Sequence, residues 1–207
     1  NLIFHSDTKV KEIKERLDGA GIALSALGSP LGKIGIEDPF EKHFEEFKRA
    51  VEIAHMMDAK NIRMFSFYIP EGKNAEYKDK VFDRIGQFVD YATANDAVLL
   101  HENEKGIYGD IAARCLEIHK NIPELKCVFD PANYVQVGQD TLEAWAMLEP
   151  YVFYGHIKDS LADGSIVPPG KGEGHLSEYL PKFAAKGCQV LTLEPHLKVF
   201  SALKDLE

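Results

Sequence analysis

The sequence contains few cysteines and no long apolar segment, and each shortage excludes a class of protein. Only Cys115, Cys127 and Cys188 are present among 207 residues, and no pair has CxxC spacing. An odd number of separated thiols is typical of a reducing compartment rather than of a disulfide-bonded secreted domain. No apolar run approaches the roughly 18 residues of a membrane-spanning helix. We therefore expect a soluble, cytoplasmic protein with no membrane partner.

Positive charge is also scarce. Lys and Arg total 24 against 33 Asp and Glu, and the formal net charge is −9. Binding a phosphate backbone requires Lys and Arg to displace counterions, and an acidic surface opposes this. The balance argues against nucleic acid as a partner. A GxGxxG motif after the first strand is missing too, so a dinucleotide-binding fold loses its best sequence signal.

What is present is an alternation of strand-like and helix-like apolar patterns, repeated six times. Hydrophobic residues make up 45% of the sequence, and the length suits one domain over residues 1–207. The predicted strands are apolar on both faces, which indicates a parallel sheet covered by helices and an α/β fold class. Asp38 is a predicted helix N-cap, and 71–80 is a predicted polar loop. Strands are predicted at 22–27 and 62–69 and in runs ending at Glu102, Asp130, His156 and Glu194; helices are predicted at 7–17, 39–54, 81–89, 109–120, 141–148 and 176–186.

The four polar strand ends favour a (β/α)8 TIM barrel over an open sheet. Such a barrel builds its site from residues at the carboxyl ends of several different strands. Six strands do not close a barrel that has eight strands and typically about 250 residues. We therefore expect the first two βα units to precede Asn1, and the final helix to lie beyond Glu207.

Side-chain alternation along these strands predicts one metal site. Glu102 shares a face with Leu100, whereas His101 points the other way and is not expected to be a ligand. If the matching faces of the four strands point inward, three carboxylates and one imidazole converge. Oxygen ligands with one imidazole suit Mn or Mg, with Co or Zn as alternatives. The competing interpretation is that polar strand ends cap the next helix or face solvent, but four such ends in one pattern favour the site.

Several short runs resemble the xylose isomerase-like barrels of the sugar phosphate isomerase/epimerase superfamily. The resemblance covers the chain from Leu17 onward. It implies that Glu102, Asp130, His156 and Glu194 bind one divalent metal, and that Glu102 and Glu194 shuttle a proton, as in ketose 3-epimerases. The runs are His101-Glu102-Asn103-Glu104-Lys105-Gly106, Phe129-Asp130-Pro131-Ala132-Asn133, His156-Ile157-Lys158-Asp159 and Leu193-Glu194-Pro195-His196, with further likeness at 28–33 and 172–174.

The chain departs from its relatives at Asn133, where many of them have His. An amide can hydrogen-bond a sugar hydroxyl but is a poor ligand for a second metal. A DNA-repair endonuclease of the same superfamily carries extra Asp and His ligands in the loop that corresponds to residues 165–169, and none stands here. The resemblance therefore points to sugar chemistry with one ion, Mn being the expected one.

Other polar residues are secondary candidates. Asn133, Lys158 and Lys33 are predicted to contact substrate, and Asp159 either orients a ligand or caps a lid formed by residues 159–174. His43, His55 and His119 fall in helical segments and are expected to be surface or packing residues.

The predicted function is a divalent-metal-dependent sugar isomerase or epimerase that transfers a proton through a metal-stabilised enediolate. Two alternatives stay open: a metal-dependent dehydratase of inositol-like or sugar substrates, and a non-catalytic sugar-binding barrel. The expected partner is a small sugar or sugar-like molecule, and a homo-oligomer is left open.

Overall fold

A computed structural model describes residues 1–188 and 191–194 of the chain. Its Cα positions group into two compact units, and the expectation of a single domain stays a prediction. Within the described residues, no helix is both long enough and apolar enough to span a membrane. The helices are α1 (Asp7–Gly19), α2 (Phe40–Met56), α3 (Asn74–Ala94), α4 (Ala112–Asn121), α5 (Pro131–Val135), α6 (Thr141–Leu148) and α7 (Leu176–Ala185), with 3-10 turns at Leu2–Phe4 and Glu149–Tyr151. The strands are β1 (Leu27–Gly28), β2 (Asn61–Met64), β3 (Val98–Glu102), β4 (Lys126–Phe129), β5 (Val152–Ile157), β6 (Asp159–Ser160), β7 (Ile166–Val167) and β8 (Leu191–Leu193).

The first unit comprises residues 1–101 with segments 106–108 and 118–126. In it β1 pairs with β2 and β2 with β3, all parallel. Ile62, Met64 and Leu99 lie in a core that includes Phe47 of α2 and Phe88 of α3. Alternate strand residues thus face the helices, as a helix-covered parallel sheet requires.

The second unit comprises segments 102–105 and 109–117 and the chain from Cys127 onward. Here β4 pairs with β5 and β5 with β8, again parallel, whereas β6 and β7 form a small antiparallel hairpin. The core of the unit is aromatic. Phe129 of β4 packs edge-on against Trp145 of α6 and Tyr179 of α7, with ring centroids 5.1 and 5.2 Å apart.

Several predicted boundaries differ from the structure. Asp38 is not the N-cap of α2: Pro39 holds that position, and the Asp38 carboxylate accepts from the Gly35 N–H at 2.7 Å. The segment 71–80 is helical from Asn74 onward. The second predicted strand, 62–69, is shorter in the structure: β2 covers Asn61–Met64. Further along, Phe67 adopts a left-handed backbone with φ of +66°, which an extended ladder cannot contain.

The remaining differences concern short elements. Of the first predicted strand, 22–27, only Leu27 lies in β1, which pairs with β2 through Leu27 and Gly28. Helix α5 and the β6–β7 hairpin carry too few residues for periodicity to reveal them. Val190, the start of the last predicted strand, lies outside the described residues.

Candidate metal centre

Glu102 and Asp130 reach the site from the ends of two strands. Glu102 is the last residue of β3, and Asp130 directly follows β4, where its Oδ1 accepts from the Asn133 N–H at 3.0 Å and caps α5. Both carboxylates are buried. His101 packs edge-on against His119, with ring centroids 5.8 Å apart, so it points away from Glu102 as predicted. Capping therefore occupies one oxygen of Asp130 and leaves Oδ2 to face the other donors.

His156 and Glu194 complete the group. His156 is the penultimate residue of β5, and Glu194 follows β8, where its N–H donates to the Ile157 carbonyl at 3.1 Å. One layer below, the hydroxyls of Tyr154 and Thr192 lie 2.6 Å apart. Tyr154 and Thr192 therefore lie on the same face of the sheet, and the Tyr154 and His156 ring centroids lie 6.0 Å apart.

The structure brings the four predicted side chains close together. His156 Nδ1 lies 3.2 Å from Glu102 Oε1 and 3.6 Å from Asp130 Oδ2. The distance from the same nitrogen to Glu194 Oε2 is also 3.6 Å. One donor atom from each residue falls in a group whose members all lie within 4.8 Å of one another.

This donor set fits a divalent metal ion. Two ligand atoms bound at about 2.1 Å to one ion lie roughly 3 to 4 Å apart, and the separations from His156 Nδ1 fall in that range. Three carboxylates against a 2+ ion leave about one negative charge, which tolerates the oxygens of a neutral polyol. Glu194 is the most exposed of the four proposed ligands, at 22% of its side chain against 4% or less for the other three. Solvent therefore reaches the group on the Glu194 side.

Electrostatics inside the group favours a cation. Burial lowers the pKa of His156, but hydrogen bonds that the imidazole donates to the Asp130 and Glu102 carboxylates outweigh burial and raise the pKa to about 10. The carboxylates thus hold a proton on the imidazole when nothing else neutralises them. A divalent ion would take the place of that proton, because only a neutral imidazole ligates metal.

Asn133 and Lys158 surround the carboxylates. The Asn133 amide donates to Glu102 Oε1 at 3.3 Å and to the Asn103 carbonyl at 2.8 Å. Lys158 Nζ donates to Asn133 Oδ1 at 2.6 Å and to Asp130 Oδ2 at 3.3 Å. Both residues therefore brace the proposed ligands, and their substrate contacts stay predictions. Lys33 belongs to the other unit, where its Nζ lies 4.1 Å from the centre of the Phe65 ring, and its substrate role stays a prediction as well.

Asn103 is a supporting residue to which the sequence pattern gave little weight. Its side chain donates to the Asp130 carbonyl at 3.0 Å and accepts from the Asp130 N–H at 3.1 Å. The amide thus pairs with the backbone that carries a proposed ligand. Its position directly after Glu102 is the only sequence signal for this role, and spacing does not reveal the partner.

The remaining candidate residues lie outside the group of four proposed ligands. His43 and His119 are buried, and His43 Nε2 accepts from the Gly32 N–H at 2.8 Å, whereas His55 is exposed. Asp159 is buried and accepts backbone N–H groups of the 159–174 segment, and its two predicted roles, orienting a ligand and capping the segment, stay predictions.

The chain belongs to the xylose isomerase-like TIM barrel family, whose model matches residues 3–202. The predicted fold class, an α/β fold of the TIM-barrel type, is thereby confirmed. No curated protein matches the sequence significantly.

Solved structures of the same superfamily resemble this one at low sequence identity. A probable 3-DHS dehydratase, AsbF, from Bacillus anthracis is 18% identical, with a TM-score of 0.76 over 99% of this chain and 80% of its own. A D-tagatose 3-epimerase-like protein is 21% identical, with a TM-score of 0.76 over 91% and 76%. An IOLI protein with a bound zinc atom is 19% identical, with a TM-score of 0.75 over 95% and 75%. At these identities the likeness establishes the fold.

Proposed function

We propose that this protein is a divalent-metal-dependent isomerase or epimerase of a small sugar. The observation that carries the proposal is the convergence of Glu102, Asp130, His156 and Glu194 within 4.8 Å. Two of the four donors are glutamates, which can act as proton carriers as well as ligands. The family membership and the epimerase-like structural neighbour support the choice of reaction.

The roles divide among the four residues by their surroundings. Asp130 and His156 hold the ion. Asp130 is given no part in proton transfer because one of its oxygens already caps α5. Glu102 and Glu194 stand at the ends of different strands, so they can reach two faces of one substrate; one removes a proton from carbon and the other returns one. The ion, when bound, supplies Lewis acidity that stabilises an enediolate. Mn is the expected ion, because three oxygens and one imidazole suit it.

A dehydratase is the second candidate function. The AsbF neighbour is described as a probable dehydratase, and the same kind of carbanion can expel a hydroxide instead of regaining a proton. The acid that assists the leaving group would then be one of the same two glutamates. The two functions differ in product and not in the residues required.

Deuterium incorporation separates the two. We expect that the protein, incubated with Mn²⁺ and a panel of ketoses in heavy water, yields an epimer or isomer carrying deuterium at the carbon that exchanged. Loss of water from the substrate would instead support the dehydratase. Mass spectrometry and NMR of the product measure deuterium incorporation and loss of water.

Glu102→Gln is the variant that tests the mechanism. Removing the proton carrier is expected to lower the exchange rate by about 100-fold or more, because general acid–base groups contribute about that much. Glu143→Gln, on the exposed side of α6, is the matched control and should exchange at the wild-type rate. If no substrate exchanges, and Glu102→Gln binds Mn²⁺ and sugars as the wild type does, the protein is a non-catalytic sugar-binding barrel.

A further inference from the structure

A single buried carboxylate holds the glycine-rich segment that follows the metal centre. Asp159 is 1% exposed and accepts four backbone N–H groups. Oδ1 accepts from Ser160 at 3.0 Å and Gly174 at 2.9 Å. Oδ2 accepts from Gly170 and Gly172, both at 2.9 Å. We name Asp159 and these three glycines the Asp159 cradle.

The cradle needs glycine at alternate positions. A Cβ on Gly172 would lie 2.4 Å from Asp159 Oδ1 and 2.5 Å from the Ser160 carbonyl oxygen, and a Cβ on Gly174 would lie 2.7 Å from the same Asp159 oxygen. Gly170 has a φ of +84°, which other residues rarely adopt. The Gly-Lys-Gly-Glu-Gly run is therefore shaped around the carboxylate, and it is not a phosphate loop.

The cradle lies next to the proposed metal centre at both ends. Asp159 directly follows Lys158, whose Nζ lies 3.3 Å from Asp130 Oδ2. At the other end, a Cβ on Gly174 would lie 3.5 Å from Cβ of Pro131, the residue after Asp130. The backbone that carries Lys158 and the backbone that carries Asp130 are thus joined through the cradle.

We propose that Asp159 is a positioning residue for the metal centre. By holding residues 170–174 against Pro131, it sets the backbone at Lys158 and keeps the Lys158 ammonium on Asp130 and Asn133. Hydrogen bonds to a carboxylate are about twice as strong as neutral ones, so an amide in its place would hold the segment poorly. An Asn side chain would also turn an N–H donor toward N–H donors. The part of this inference that concerns metal rests on the proposed function.

Asp159→Asn is the test, with Asp163→Asn as the matched control. Asp163 is an exposed carboxylate of the same segment that accepts from the Ser165 N–H at 2.8 Å and has no part in the cradle. Trypsin can cleave after Lys171, which is exposed and lies between two cradle glycines. We expect Asp159→Asn to speed this cleavage by about tenfold, because proteolysis follows the population of the opened segment. Mass spectrometry identifies the fragment, and circular dichroism checks that both variants are folded.

Amine labelling reads the position of Lys158 without any metal. The Lys158 side chain is 11% exposed, so acetic anhydride should modify it slowly in the wild type and in Asp163→Asn. In Asp159→Asn, where the cradle is expected to open, acetic anhydride should label Lys158 about tenfold faster than in the wild type. Gly172→Ala, which keeps every charge, should give the same increase because its methyl group displaces the carboxylate.

Metal affinity completes the test. Residues that orient metal ligands typically change affinity by about 10-fold or more, so Asp159→Asn should weaken Mn²⁺ binding by about that factor in calorimetry. Cleavage or Lys158 labelling at the wild-type rate in Asp159→Asn would overturn the inference, as would faster labelling with unchanged Mn²⁺ affinity. Failure of the proposed function gives a different result, a wild-type protein that binds no Mn²⁺.

Discussion

At the scale of single residues, the second unit concentrates buried polar side chains that depend on one another. Glu102, Asp130 and His156 are each 3% exposed or less, and Asn133 joins Glu102 to Lys158. Buried charges need hydrogen-bond partners. Glu102 Oε1 and both oxygens of Asp130 each have a donor beside them. The group is therefore rigid enough to present its donors in one arrangement.

His119, in the first unit, gives a prediction for pH. Burial lowers the pKa of His119 to about 4 and outweighs a hydrogen bond to the Leu125 carbonyl. The unfolded chain takes up this proton near pH 6.5, and the folded chain only near pH 4. Its stabilising contribution is therefore fully present above about pH 6.5 and is lost as the pH falls toward 4.

The measurement is urea unfolding at pH 7.5 and pH 5. We expect the wild type to lose on the order of 2 kcal/mol of unfolding free energy from this group between the two values. Between the same two pH values, the unfolding free energy of His119→Asn should fall by about 2 kcal/mol less than that of the wild type. His55→Asn, on the exposed side of α2, should behave as the wild type. Equal pH dependence in wild type and His119→Asn would contradict the prediction.

At the scale of elements, β5 serves the site with one face and the core with the other. His156 points to the proposed metal ligands, and its neighbour Gly155 lies against Phe183 of α7 and Leu191 of β8. A Cβ at Gly155 would stand 2.7 Å from Phe183 Cζ and 2.9 Å from Leu191 Cδ2. Glycine at this position lets α7 and β8 approach the strand closely.

Gly155→Ala is expected to destabilise the protein by about 1 to 3 kcal/mol, the usual effect of overpacking a core. Thermal and urea unfolding measure the change. Gly86→Ala in α3 is the control, because nothing lies within 4 Å of its added Cβ. Alanine in a helix interior is favoured over glycine by about 0.5–1 kcal/mol, so this control should be stabilised. A Gly155→Ala variant as stable as the wild type would show that Phe183 moves aside freely.

At the scale of the whole molecule, the proposed ion should stabilise the folded chain. The four donors come from positions between 102 and 194, and an unfolded chain does not bring them together. An ion that binds only the folded state adds about 2.7 kcal/mol to the unfolding free energy at 100 times its dissociation constant. At about 2–4 °C per kcal/mol for a chain of this size, we expect Mn²⁺ to raise the melting temperature by about 5–10 °C and a chelator to reverse the increase.

Asp130→Asn is the matching variant. An Asn side chain can still cap α5, because Asn is a good N-cap, but it lacks the charge that binds the ion. The variant should therefore melt near the metal-free wild type and respond little to Mn²⁺. An undiminished response would remove Asp130 from the ligand set.

Local sequence patterns were enough to predict the features of this protein that depend only on neighbouring residues in the chain. The α/β class followed from alternating periodicities, and the faces of Glu102, Tyr154 and Thr192 followed from the period of two along a strand. Helix α6 was predicted with its observed bounds, Thr141–Leu148, because Leu142, Trp145 and Leu148 recur every three residues and Pro150 follows them. These features need only a few consecutive residues to be specified.

What only the tertiary structure decided is which polar groups meet across long separations. Asn133 contacts Glu102, 31 residues earlier, and Lys158 contacts Asp130, 28 residues earlier. The Asp159 cradle likewise closes over up to 15 residues, a span that includes the short β6–β7 hairpin. No periodicity links such residues, because loops place side chains by their own turns and not by a repeating geometry. The sequence by itself therefore determined the fold class and the four proposed ligands, and the folded chain decided what holds those ligands in place.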